Sequence, residues 1–170
     1  MKQGFALAGT CFLISIAAFL AYVWMNAERL PERVATDFTM QGEPETWMSR
    51  GEHLTFMTGM GIGVPFSVVG MFLLIRRVPA RFVRLPYRDY WLAEERRSST
   101  SGWMTRSALW LGCGFTVGMG MLHELILRAN QQTPATLDSG PVLLVVALMM
   151  ACAVAFVIAT VLHFHKPPGA

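Results

Sequence analysis

His123 and Glu124 are adjacent, and Arg128 follows Glu124 by four residues; no other stretch of the sequence is so suited to polar chemistry. Glu124 is the only acid inside any of the long apolar runs, and an ionisable group at membrane depth defaults to a functional candidate. It sits about 5 Å from the end of its run at 1.5 Å of helix rise per residue, where the penalty for a charge is small. Two readings stay open. One is a boundary ion pair between Glu124 and Arg128 at the i,i+4 spacing. The other is a polar site in which His123 and Glu124 meet Asp37, Arg50 and His53 from the connection before the second run. His53, His123 and Glu124 are also zinc-ligand types. Neither an HExxH nor a paired CxxC is present, so no metal and no cofactor is expected. His163 and His165, two residues apart, point away from each other on a helix. With no nucleophile–base arrangement, phosphate loop or dinucleotide fingerprint, the chain is not expected to be an enzyme.

These residues are positioned by a very apolar chain. Of 170 residues, 54% are hydrophobic and only 15% charged, which is outside the range of a soluble domain. The charges collect between four apolar runs, at about 5–25, 54–75, 107–127 and 141–162, each 21 or 22 residues long. Roughly 20 helical residues cross a bilayer core. The expected fold is therefore all-α: a single polytopic membrane domain, 1–170, with four transmembrane helices. The first run exceeds the 7–15 residues of a signal-peptide core and ends in Tyr22 and Trp24, which suit an interfacial belt, so it is read as a retained span. The 76–106 connection holds eight Arg against Asp89, Glu94 and Glu95, whereas the 26–53 connection holds Arg29, Arg33 and Arg50 against six acids. The positive-inside rule then puts 76–106 and both termini in the cytoplasm and 26–53 outside. The net charge of +3 reflects this asymmetry and implies contact with anionic lipid, not nucleic acid. Cys11, Cys113 and Cys152 fall one per run, in no metal or redox spacing, and read as small packing residues.

Local signals refine the elements. Ser49 and Glu52 have the capping-box spacing for the start of the second helix. Gly59 and Gly63 form a GxxxG, and Gly112, Gly114, Gly118 and Gly120 repeat the theme in the third run. Close approach of the second and third helices, as a central pair or in a helix–helix oligomer, is the expectation. Pro65 kinks the second helix. The fourth run reads as a lipid-facing or packing helix. Residues 76–88 suit a segment along the headgroups, after which a helix starting near Asp89 runs on into the third span, with Glu94 and Glu95 near its N-terminus.

The 30–50 segment is the most varied part of the chain. Leu30, Val34 and Phe38 at i, i+4, i+8 suggest one face of a short helix, with Pro31 at its first position. Gly42-Glu43-Pro44 turns the chain. Trp47 and Ser49 bring it back to the membrane, giving an ordered outer lid. Leu30-Pro31, Val34, Thr36, Phe38, Gly42, Pro44 and Trp47-Met48-Ser49-Arg50 resemble the motif of a bacterial membrane family, a domain of unknown function. That domain also forms the N-terminal module of the SdpI-like toxin-immunity proteins. The resemblance spans 5–75 and implies an inner-membrane location with the motif loop outside. The family often carries His where this chain has Asp37, and the second half departs from the C-terminal module of the immunity proteins.

The expected function is a non-enzymatic binding, sensing or immunity-type protein of the inner membrane. Its ligand or partner surface is assigned to Asp37, Phe38, Gly42, Pro44, Trp47, Ser49, Arg50, His53, His123 and Glu124. The expected partners are the lipid bilayer and an extracytoplasmic peptide or small ligand. The alternative is a small transporter or permease component using Glu124 and the Pro65 kink.

Overall fold

In the computed structural model of the chain, residues 2–74, 78, 82 and 86–165 are described. Long apolar runs without helix-breaking clusters form α1 (Lys2–Met25), α2 (Arg50–Leu74), α4 (Glu94–Asn130) and α5 (Ser139–Phe164). All four are long and apolar enough to cross a membrane. Between α1 and α2 lie a short 3-10 turn (Ala27–Arg29) and a hairpin of β1 (Arg33–Phe38) and β2 (Pro44–Ser49). A one-turn helix α3 (Arg88–Trp91) precedes α4. The chain is thus mostly helical, with one small antiparallel ribbon at one end of the bundle. The described part of the Arg-rich connection, with Arg88, Arg96 and Arg97, lies at the other end. Most of 76–88, expected along the headgroups, lies outside the described residues.

The α4 helix is the hub, packing against α1, α2 and α5. Its 37 residues span about 55 Å, well beyond a hydrocarbon core of about 30 Å. It begins at Glu94; Asp89 belongs to α3 instead. Two apolar clusters fill the seams. Phe19, Val23, Leu30, Val34, Leu54, Met57 and Leu127 pack at the hairpin end, and Ala8, Phe12, Ile16, Val69 and Leu109 lie deeper. The α5 helix packs mainly along α4, with an edge contact between Phe156 and Phe72 of α2, and leaves most of its apolar surface uncovered by protein, as a lipid-facing helix does. At the Arg-rich end its last turn is pinned: Trp103 stacks on His163 at 4.2 Å between ring centroids, and Trp91 donates its indole N–H to the Phe164 carbonyl at 3.2 Å.

The glycine expectation is corrected in detail. A Cβ built on Gly59 or Gly63 meets nothing within 4 Å, whereas on Gly61 it falls 1.9 Å from the Phe19 ring. The close approach in α2 is therefore at Gly61, and its neighbour is α1. Gly112 likewise receives Phe12 of α1 at 2.7 Å, beside Val69 of α2 at 3.4 Å. The expected pair of second and third spans is a three-helix seam, because aromatic rings from α1 fill the space that the glycines leave.

The segment expected as a short helix is a hairpin instead. A four-residue spacing such as Leu30, Val34, Phe38 divides evenly by the two-residue period of a strand as well as approximating a helical turn. Arg33-Val-Ala-Thr-Asp-Phe38 adopts the extended form and pairs Val34 with Met48 and Ala35 with Trp47. Thr36 is an extra residue on β1, so the register shifts between Ala35 and Asp37. The turn closes where Gly42 takes φ +84° and donates its N–H to the Thr39 carbonyl at 2.9 Å. The capping box forms as expected: the Glu52 carboxylate accepts from the Ser49 N–H at 2.8 Å, and the Ser49 hydroxyl accepts from the Glu52 N–H at 3.2 Å.

Candidate functional site at the hairpin end

Polar side chains converge where the hairpin rests on the helix ends. Residues of a hairpin strand direct their backbone groups alternately toward the partner strand and away from it. The N–H and C=O of Ala35 point away from β2, and the Asn130 side-chain amide meets both. Its oxygen accepts from the Ala35 N–H at 2.7 Å, and its NH2 donates to the Ala35 carbonyl at 2.9 Å. One amide at the end of α4 thus substitutes for a third strand. The hairpin tip is tied separately, since the Leu137 N–H donates to the Gly42 carbonyl at 3.1 Å. A Cβ on Gly42 would fall 2.5 Å from the Leu137 carbonyl oxygen, so this close approach requires glycine.

Beneath the hairpin, His53 from the first turn of α2 meets His123 from α4. Their rings lie 18° apart in plane, with His53 Nε2 and His123 Nδ1 3.4 Å apart. The side chains are 1% and 0% exposed. An N–H···N bond needs one ring with a free lone pair, so at least one imidazole is neutral. The outer nitrogens, Nδ1 of His53 and Nε2 of His123, have no partner among the described residues. With both rings neutral, one outer nitrogen is a donor and the other an acceptor, whichever way the shared proton lies. Such a pair can take up a proton at one end and release one at the other. Each orphaned group costs about 1–3 kcal/mol of desolvation.

Glu124 turns away from the histidines toward α1. The Tyr22 hydroxyl donates to Oε2, and the Arg128 Nε donates to Oε1 at 2.5 Å. Both carboxylate oxygens are therefore engaged. The boundary ion pair is present, and Tyr22 adds a third member that links α1 to α4. Tyr22 also sets its ring edge-to-face against His123, with centroids 6.0 Å apart, so the two polar groups adjoin. Beside this triad a cleft of about 450 Å³ runs along α4 between α1 and α5. Its walls are Val117, Met121, Leu125, Leu144 and Val145, and its polar rim is Tyr22, Glu124 and Arg128.

The chain matches no family model, no curated protein and no solved structure. What the site can do is therefore read from its own residues.

Of the residues singled out in the sequence, His53, His123 and Glu124 gather at this end of the bundle. Asp37 does not join them. It is exposed on β1, and its side chain makes no hydrogen bond or ion pair among the described residues. Arg50 is also separate, reaching the Pro31 carbonyl at 3.5 Å. Asp37 lies on β1 just past the bulge at Thr36, and Arg50 is the first residue of α2. Trp47 is likewise exposed on β2 across from Ala35, and Phe38 is half-buried near the tip. Gly42, Pro44 and Ser49 shape the hairpin as turn, strand start and helix cap. Among the described residues no three His, Cys, Asp or Glu assemble as metal ligands. Sequence reasoning did not single out Asn130 or assign a polar partner to Tyr22. A terminal Asn just past an apolar run and a Tyr near a helix end carry no spacing signal that would pair them with residues 95 and 102 positions away.

Proposed function

We propose that the protein is a non-enzymatic binding or sensing protein of the bacterial inner membrane, with its ligand site in the cleft beside the docked hairpin. The cleft carries this reading: its apolar walls end in a charged rim, which suits an amphiphilic ligand whose tail lies among the helices. Binding sites in general combine apolar lining with a few convergent polar groups. The clamped hairpin supports the same reading, because a lid fastened at both Ala35 and Gly42 presents a fixed surface beside the cleft. On the Arg distribution, the hairpin end faces outward and both termini face the cytoplasm. The resemblance of the 30–50 motif to the SdpI-like module makes immunity to an external agent one form that the sensing takes. A transport reading has less support. Glu124 is held at one end of the bundle by Tyr22 and Arg128, and the buried Thr105 and Thr116 hydroxyls bond carbonyls of their own helix.

The test is complementation of a deletion strain. Val117→Trp fills the cleft from its exposed wall, so the variant should insert at normal levels and fail to restore the wild-type phenotype. Asp37→Ala, Trp47→Ala and Arg50→Ala probe the lid surface in the same assay. Full complementation by Val117→Trp at normal expression would remove the cleft from the function.

A further inference from the structure

We infer that the cleft holds one acyl chain of an anionic phospholipid, whose phosphate is bound by Arg128. The inference rests on the reading of the cleft as a ligand site and names the class of ligand. The lining extends along α4 from Val117 to Arg128, about 16 Å of helix rise. Val117, Gly120 and Met121 line one end without a charge, and Glu124 and Arg128 enter only toward the end of α4, with Leu125 between them. Val117 and Met121 of α4, with Leu144 and Val145 of α5, give apolar walls, and the charged groups lie at the helix-end limit. This is the order in which a bilayer presents acyl chain and headgroup, and the cleft lies on helices apolar enough to span a bilayer.

Charge decides the headgroup. Both oxygens of Glu124 are engaged by Tyr22 and Arg128, and Arg29 adds a second cation close enough to act on Glu124 and Tyr22. Among the residues that line the cleft, Arg128 is the cation and Glu124 the acid. Arg128 uses only its Nε toward Glu124, and its side chain is 68% exposed. The outer edge of the guanidinium, with its Nη donors, therefore remains to meet an anion. Guanidinium and phosphate match in geometry as well as charge. A zwitterionic lipid would bring its own cation against Arg128 and Arg29, so an anionic headgroup is the one favoured.

Photocrosslinking tests this on the full-length protein in nanodiscs, using a phosphatidylglycerol probe with a diazirine near the end of one acyl chain. Labelled residues are mapped by mass spectrometry, and labelling at the exposed Val154 of α5, outside the cleft lining, serves as the internal reference. The expected result is labelling at Val117, Met121 or Leu144 that a matched phosphatidylcholine probe does not reproduce. Arg128→Gln should lower it about 10- to 100-fold against the reference, the range of a lost charge-assisted pair. Arg128→Lys, which keeps the charge but not the fork, should restore a large part of it. Equal labelling by the phosphatidylcholine probe, stronger labelling by a diazirine fatty acid, or indifference to Arg128→Gln would each overturn the inference. Failure of the functional reading looks different: Val117→Trp would abolish cleft labelling and still complement the deletion strain.

Discussion

Replacing Asn130 with Ala tests the hairpin clamp most directly. The substitution removes both hydrogen bonds to Ala35, at 2.7 and 2.9 Å, from a residue with 0% exposure. Leaving two buried backbone groups without partners costs about 1–3 kcal/mol each. Water reaching the loosened strand recovers part of this, so about 2–4 kcal/mol of hairpin docking is lost. Every 1.4 kcal/mol is tenfold, so local opening should rise roughly 30- to 700-fold. The assay is hydrogen–deuterium exchange of the protein in nanodiscs, followed on peptides covering β1 and β2. Exchange should accelerate there while the deep α1–α4 seam around Phe12 and Gly112 keeps its protection. Asn130→Asp should fall between wild type and Asn130→Ala, because a carboxylate still accepts from the Ala35 N–H but cannot donate to its carbonyl. Unchanged exchange in β1 and β2, or a uniform rise across the helices, would refute the clamp.

Other substitutions test the packing. Gly61→Ala should destabilise the bundle by about 1–3 kcal/mol in a detergent thermal-shift measurement, since the Phe19 ring in its way is itself buried. Gly59→Ala and Gly63→Ala should be near neutral in the same assay, as open space surrounds both positions. Gly42→Ala should cost about 1–2 kcal/mol for the positive φ alone. Its clash with the Leu137 carbonyl should also make the hairpin tip more sensitive to proteolysis than the helices. Trp103→Ala should remove the stacked His163 contact, worth about 0.5–1.5 kcal/mol beyond area. It should raise exchange in the last turn of α5 without affecting the hairpin.

The hairpin and the Gly61 contact show where one-dimensional reading reaches its limit. The Ser49–Glu52 cap was legible because both partners lie within one helical turn, where spacing fixes geometry. The Glu124–Arg128 pair was legible for the same reason. The strand character of 33–38 was hidden because the apolar spacing fits two periods, and what decides between them is the pairing with 44–49. Gly59 and Gly63 formed the better motif, yet Gly61 forms the contact, because the rotation of α2 about its axis is set by where Phe19 arrives from α1.

By itself, the sequence determined the number of apolar helices, the uneven placement of Arg, the turn at Gly42 and the capped start of α2. All of these depend on hydrophobicity, charge or hydrogen bonds among residues close in the chain. Only the tertiary structure decided that α4 is the hub, that Asn130 completes the edge of β1, and that His53 stacks on His123. It likewise turned Glu124 toward Tyr22 and opened a cleft ending at Arg128. Each of these joins residues from different helices or from hairpin and helix. Their meeting depends on helix rotation and offset, which spacing along one chain leaves undetermined.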